Sequence, residues 1–265
     1  MSKIDQLFQQ LKADQKKAFM PFITAGDPSL AVTSELIKAF DAQGCHICEV
    51  GIPYSDPIAD GPVIQASYTR ALGNKITVDS ILSMLGKTSP EVNLPLVTMV
   101  SYAIIFRRGV EQYIDRAMQS GVSGVIVPDL PVEEAEGLSQ VCRSRDFSLI
   151  QLVTPTTSRE RAKRILETST GFVYYVSVAG ITGERTALPP DIIANVSWLR
   201  EQGDVPVCIG FGISEPEHVK ALAPHSDGLI VGSSIVRRIA TSENDQQVVV
   251  DVKKYVDEML QAFDA

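Results

Sequence analysis

The chain has 265 residues, 45% of them hydrophobic, and a net charge of −8. That suits one domain spanning 1–265 with a sizeable core, and the acidic balance without any Lys/Arg-rich block excludes nucleic acid as a partner. The N-terminus has no apolar signal core and no apolar run reaches about 18 residues, so a cytoplasmic protein with no membrane association is expected.

Taken in order, the patterns predict a helix over Lys3–Ala13, a strand over Ala18–Thr24, a helix over Leu30–Ala42 and a strand over Ile47–Val50. Helices follow at Val63–Leu72 and Val78–Leu85, then a surface loop near Gly86–Val92 and a strand at Leu94–Val100. Next come a helix at Val110–Gln119, a strand at Gly124–Val127, a helix at Val132–Arg143, a strand at Ser148–Val153 and a helix at Ser158–Glu167. The last third holds strands at Phe172–Ser177, Val205–Ile209 and Gly228–Val231, with helices at Pro190–Gln202, Glu215–Leu222 and Val248–Phe263 and a loop at Thr241–Gln247. Most strand runs are continuously apolar, as expected of strands buried on both faces of a parallel sheet. Eight of them alternating with helices predict a (β/α)8 TIM barrel with an extra N-terminal helix. The rival, a doubly wound open sheet, lacks its glycine fingerprint after the first strand, which reads Thr24-Ala-Gly-Asp-Pro28.

Cys45, Cys48, Cys142 and Cys208 are scattered. Cys45-x-x-Cys48 has redox or metal spacing, but no second pair or histidine cluster completes a site, and reduced thiols packed as small hydrophobes is the better reading. Of the three histidines, His46 and His225 precede strands and His218 lies in a helix, so no metal site is expected. No strand core carries a lysine for Schiff-base chemistry. Cofactor-free acid–base catalysis by carboxylates remains.

The segment Glu49-Val-Gly-Ile-Pro-Tyr-Ser-Asp56-Pro-Ile-Ala-Asp60-Gly-Pro62 is the most informative. A strand end feeding a rigid loop is where a parallel-strand barrel keeps its chemistry. Alternation puts Glu49 on the face opposite Cys48 and Val50, inward among apolar layers, where burial raises its pKa. The competing reading, a buried ion pair, has no basic residue in the neighbouring strands to support it. Asp60, on the loop beyond, is expected to be wetter and ionised, against the alternative of a turn or helix cap. Asp27 and Asp129, each near a proline, read as turn and cap residues, and Asp56 as ordering its loop or touching a partner. The glycine turns after the seventh and eighth strands, Gly210-Phe-Gly212-Ile-Ser214 and Gly232-Ser-Ser234, stand where barrels usually seat phosphate. The Ser233 or Ser234 hydroxyl could add a donor, and Gly183 could close the third side. Glycines serving only tight turns is the alternative. Phe22, Tyr102, Tyr174 and Phe211 could line a flat apolar pocket, although each alone is more often core. The Gly/Thr-rich connection Val178–Pro189 is either a lid or an ordinary ordered loop.

Together, Pro21-Phe-Ile-Thr-Ala-Gly-Asp-Pro28, the Glu49–Gln65 segment, Ala179-Gly-Ile-Thr-Gly183, Gly210–Ser214 and Gly232–Val236 resemble the tryptophan synthase alpha subunit family end to end. The resemblance implies retro-aldol cleavage of indole-3-glycerol phosphate to indole and glyceraldehyde 3-phosphate. It implies Glu49 as the acid/base and Asp60 as the group holding the indole N–H. Phe22, Tyr102 and Tyr174 match the pocket wall, Thr182 and Gly183 the closing loop, and Gly212, Gly232 and Ser233 the phosphate seat. It further implies no cofactor in this chain, a β subunit carrying pyridoxal phosphate, and an α2β2 complex. Two positions depart from the family pattern, Val178 where members often carry Arg and Ile104 where many carry Asn. Both bear on coupling to the β subunit more than on the chemistry. The alternatives are a free-standing lyase, a non-catalytic regulatory phosphate-binding barrel, or a sugar isomerase. The isomerase lacks its second acid, since the fifth strand ends Leu152-Val-Thr-Pro155.

Overall fold

A computed structural model describes residues 1–58, 60–176, 191–210 and 212–263. Eight parallel strands close into a barrel in chain order: β1 (Ala18–Thr24), β2 (Cys48–Gly51), β3 (Leu96–Met99), β4 (Val122–Ile126), β5 (Ser148–Val153), β6 (Val173–Val176), β7 (Val207–Gly210) and β8 (Gly228–Val231). The predicted bounds of β1, β5 and β8 coincide with those found, while β2 slides one residue to include Gly51.

The helices are α1 (Lys3–Ala13), α2 (Leu30–Ala42), α3 (Pro62–Gly73), α4 (Val78–Thr88), α5 (Tyr102–Arg108), α6 (Val110–Gln119), α7 (Glu136–Ser144), α8 (Arg159–Thr168), α9 (Ile192–Glu201), α10 (Pro216–Leu222), α11 (Ser233–Thr241) and α12 (Asp245–Gln261). The expected loop at Gly86–Val92 is instead the end of α4 followed by a 3-10 turn, Ser89–Glu91. The helix expected over Val132–Arg143 is broken, a 3-10 turn at Val132–Glu134 preceding α7. The loop expected at Thr241–Gln247 contracts, because Asn244 caps α12 with its side chain and starts that helix early.

Alternation splits the core in two. Side chains such as Cys48, Val50 and Leu96 face outward and meet the helices. Ala18, Met20 and Phe22 of β1, Val97 and Met99 of β3, Ile150 of β5 and Ile230 of β8 fill the barrel interior. α1 closes the base of that interior with Ile4, Phe8 and Leu11. Its start is fastened by a hydroxyl pair, Ser2 Oγ to Ser148 Oγ at 2.7 Å, and by the Gly171 N–H donating to Asp5 Oδ1 at 2.9 Å.

α3, which follows the Glu49–Asp60 segment, is tied once to β1 and once to the turn after it. Thr24 Oγ1 and Ser67 Oγ lie 2.6 Å apart. Arg70 donates from Nε and Nη2 to the two carboxylate oxygens of Asp27, at 2.9 and 2.7 Å. Asp27 therefore anchors a loop to a helix as well as standing in a turn.

Candidate active site

The register pairs Glu49 with Phe22 on one side and Val97 on the other. Both neighbours face the barrel interior, so Glu49 does too, 3% exposed and near the top of its strand. Its Oε2 is buried with no hydrogen-bond partner. Burial, and then the Asp60 charge, push its pKa up to about 8.

Asp60 sits in the loop between β2 and α3, where its amide donates to the Pro57 carbonyl and its own carbonyl accepts from Gln65 Nε2 at 2.8 Å. The cap of α3 is Gly61, with no side-chain cap hydrogen bond, so the Asp60 carboxylate does not spend itself on the helix. Its Oδ2 is likewise buried without a partner. Burial first, and the Asp129 charge second, raise its pKa to about 6. Asp60 is wetter than the buried Glu49, as expected, but its pKa is not that of an ordinary aspartate. Asp60 remains mostly ionised at neutral pH, but by only about one unit. Two orphaned carboxyls with separated pKa values, one holding its proton and one having lost it at pH 7, are what acid catalysis beside an anion requires.

An aromatic wall surrounds them. Phe22 is 4% exposed. Tyr174 enters from β6, and burial, then the charges of Glu49 and Asp60, raise its phenol well above the ordinary value. Gly210 makes the space for it, because a Cβ there would run into the Tyr174 ring. Gly51 does the same for Phe22 and Tyr68, whose ring carbon Cζ and hydroxyl a Cβ would meet at 2.7 and 2.9 Å. Tyr68 and Tyr54 lie against each other with centroids 5.8 Å apart, and both phenols are raised by burial and by Asp60. Sequence reasoning passed over both tyrosines. Tyr68 falls with Ile64 and Ala71 on the buried stripe of α3, which reads as ordinary core.

Tyr102 stands after β3, at the same end of the barrel. α5 starts at Tyr102 behind its cap Ser101, and the ring stands against Phe106 at 6.1 Å and on the outer cluster. Its amide, with the Ser101 hydroxyl, donates to Asp129 at 2.8 and 2.6 Å. Asp129 therefore caps the helix after β3 rather than the one after its own strand.

The two glycine turns meet. Gly212 adopts φ +79°, which only glycine takes without strain. Gly232 caps α11, and a Cβ there would lie 3.4 Å from Phe22, so this turn adjoins the aromatic wall. Ser233 opens α11, half-exposed. Ser234 Oγ is buried and donates to the Ile213 carbonyl at 3.0 Å. That hydroxyl is a strut joining the two turns. Main-chain amides at Gly232 and Ser233, at a helix start, remain suited to an anion. Thr182, Gly183, Phe211 and the Val178–Pro189 connection lie outside the described residues.

The histidines serve the scaffold. His46 Nδ1 accepts from the Phe19 amide at 3.1 Å, His218 Nδ1 from the Ser214 amide at 3.3 Å, and the His225 carbonyl from Arg200 at 3.4 Å. The four cysteines are buried free thiols. Among the described residues no group of three or more His, Cys, Asp and Glu could hold a metal, and no helix is long and apolar enough to cross a membrane.

A family model described as tryptophan synthase alpha chain matches residues 8–264. The chain is similar to the tryptophan synthase alpha chain of Rhodopirellula baltica, 58% identical over 243 residues covering 91% of this chain and 87% of that one. It is 41% identical over 261 residues to that of Arabidopsis thaliana, covering 98% and 95%. Among solved structures, tryptophan synthase subunit alpha from Legionella pneumophila superposes with a TM-score of 0.91 at 34% identity over 100% of this chain and 99% of that one. A chain of the tryptophan synthase complex from Pyrococcus furiosus superposes at 0.86 with 33% identity, covering 92% and 98%.

Proposed function

Because the chain belongs to the tryptophan synthase alpha chain family, lyases acting on indole-3-glycerol phosphate, we propose that Glu49 and Asp60 carry that cleavage between them. The observation that supports this is the pair of buried, unpartnered carboxyl oxygens with pKa values near 8 and 6.

The indole ring lies between Phe22 and Tyr174, with Tyr54 and Tyr68 closing the side nearest Asp60. The phosphate sits at the Gly212 and Gly232–Ser233 turns. Glu49, protonated at neutral pH, gives its proton to indole C3. The positive charge that develops toward the ring nitrogen is met by the Asp60 carboxylate, which accepts the indole N–H. Glu49, now a carboxylate, takes the proton from the glycerol hydroxyl on the adjoining carbon. The carbon–carbon bond breaks as that carbon becomes the aldehyde of glyceraldehyde 3-phosphate. Its electron pair restores the indole ring, and Glu49 is again protonated. No cofactor enters this sequence.

The pH profile of indole release by the isolated chain tests the assignment. Glu49 must hold its proton, so activity is lost as pH rises through about 8. Asp60 must be ionised, so activity is lost as pH falls through about 6. The substrate phosphate titrates in that same acidic range, which makes the alkaline limb diagnostic. A rate still rising above pH 9 rules the assignment out.

The product indole passes to a β subunit that carries pyridoxal phosphate, in a cytoplasmic α2β2 assembly. The exposed face beside the barrel mouth supports a docking partner. Ile58, after β2, is 81% exposed and Phe106, after β3, is 72% exposed. Both follow strands at the mouth end of the barrel, where exposed apolar side chains suit contact with a partner. Replacing both by serine is expected to weaken β-subunit binding at least tenfold and to leave indole release by the isolated chain in place. Unchanged co-purification and affinity would argue for a free-standing lyase.

A further inference from the structure

Behind the two glycine turns, the C-terminal helix reaches into the same region. Tyr255 of α12 is 3% exposed, and its hydroxyl donates to the Ser214 carbonyl at 3.1 Å. The preceding carbonyl, Ile213, accepts from Ser234 Oγ of α11. Arg238, one turn along α11, donates from Nη1 to the Ser234 carbonyl at 2.9 Å and lays its guanidinium 3.5 Å from the Tyr255 ring centroid. The Ser214 amide is in turn held by His218.

These contacts close a circuit through the loop after β7, the first turn of α11 and the middle of α12. Two consecutive carbonyls, directly after the φ-positive Gly212, are each gripped by a side chain from a different helix. A glycine turn can reorient its peptide planes at little cost. Fixing the carbonyls that follow it fixes where its amides can point before a ligand arrives, and preorganised donors are worth more than adaptable ones. A tyrosine serving only as core filler needs its ring alone. Here the hydroxyl is spent on a loop carbonyl, and the face of the ring is braced by a cation that also holds the other turn.

We propose that Tyr255 is a positioning residue for the phosphate end of the substrate, acting through Ser214 and Ser234, with Arg238 as its brace. The inference rests on the reading that the Gly212 and Gly232 turns seat the phosphate. It assigns to the C-terminal helix a part in substrate binding although it contributes nothing to the pocket wall.

Tyr255→Phe, which keeps the ring, is expected to raise KM for indole-3-glycerol phosphate by roughly three- to tenfold, the loss of one buried hydrogen bond. Inhibition by inorganic phosphate and by glycerol 3-phosphate weakens by the same factor, while kcat and inhibition by indole stay as in the parent. Arg238→Met, which keeps the bulk without the bond, shifts the same constants in the same direction. Parental KM and phosphate inhibition in both variants overturns the proposal. So does a parallel loss of kcat and indole affinity, which would mark a general structural role. If phosphate does not compete in the parent chain and Gly232→Val leaves KM unchanged, the phosphate seat itself is misplaced and the inference falls with it. If phosphate competes in the parent and equally in Tyr255→Phe, only the inference falls.

Discussion

Glu49→Gln is expected to lower kcat for indole release by about a thousandfold, the upper part of the range for losing a positioned acid/base group. Glutamine has nearly the same shape, can hydrogen-bond, and cannot transfer a proton. Affinity for glycerol 3-phosphate should hold, because the anion seat is built from other loops. A second readout follows from the same burial. In the folded chain the Glu49 pKa is about 8, against the ordinary 4.5. A raised carboxyl pKa means the folded state binds the proton more tightly than the unfolded state. Its stabilising effect is therefore fully present below pH 4.5 and is lost progressively as pH rises to 8. The glutamine variant carries no such dependence, so by pH 8 it should exceed the parent in urea-unfolding free energy by several kcal/mol relative to their difference at pH 4.5. Undiminished turnover would remove Glu49 from the chemistry. A stability difference that does not change with pH would mean the side chain is not held protonated in the fold.

Asp60→Asn carries the second-largest effect, a loss of about a hundredfold in kcat/KM, as for removing one preorganised electrostatic group. The amide still occupies the site but offers no negative charge to the developing indole cation. The variant should also move the alkaline limb of the pH profile. Asp60 is the second cause, after burial, of the raised Glu49 pKa, so removing its charge lets Glu49 ionise more readily. The upper limb then shifts to lower pH. A hundredfold loss without that shift would separate Asp60 from Glu49, and an unchanged rate would reject its part in the reaction.

The barrel could be read from the chain because its strands are buried on both sides, which makes them continuous apolar runs that few other structures produce. Glu49 could be read for the opposite reason. A single charge inside such a run has one parity, and Cys48 and Val50 fix which face it takes. What escaped were features set by tertiary contact. Gly51 looks like a chain breaker, yet it pairs with Thr24 and Met99 inside the sheet because Phe22 and Tyr68 need the space a side chain would take. Tyr68 was hidden by its own helical stripe. The helix that begins at Tyr102 was hidden too, because Asp129, which helps to start it, comes from the loop after the next strand. A loop position makes Asp60 wetter than Glu49, which it is, but says nothing of the burial that raises its pKa above the ordinary value. Ser234 carries a hydroxyl at the expected place, and only the approach of the β7 loop shows that it also joins the two turns.

The stopper at the barrel's base sets an order of events in synthesis. Ile4, Phe8 and Leu11 precede every strand of the barrel, but Ile4 lodges against Gly124 and Gly171, and Ser2 meets Ser148. Those partners lie at least 120 residues further along the chain. The nascent chain must therefore carry an unburied apolar stripe until those residues are made, and such long-range closure is slow and exposed to misassembly. The seal that completes the base is made before every strand it closes and is among the last elements to find its place.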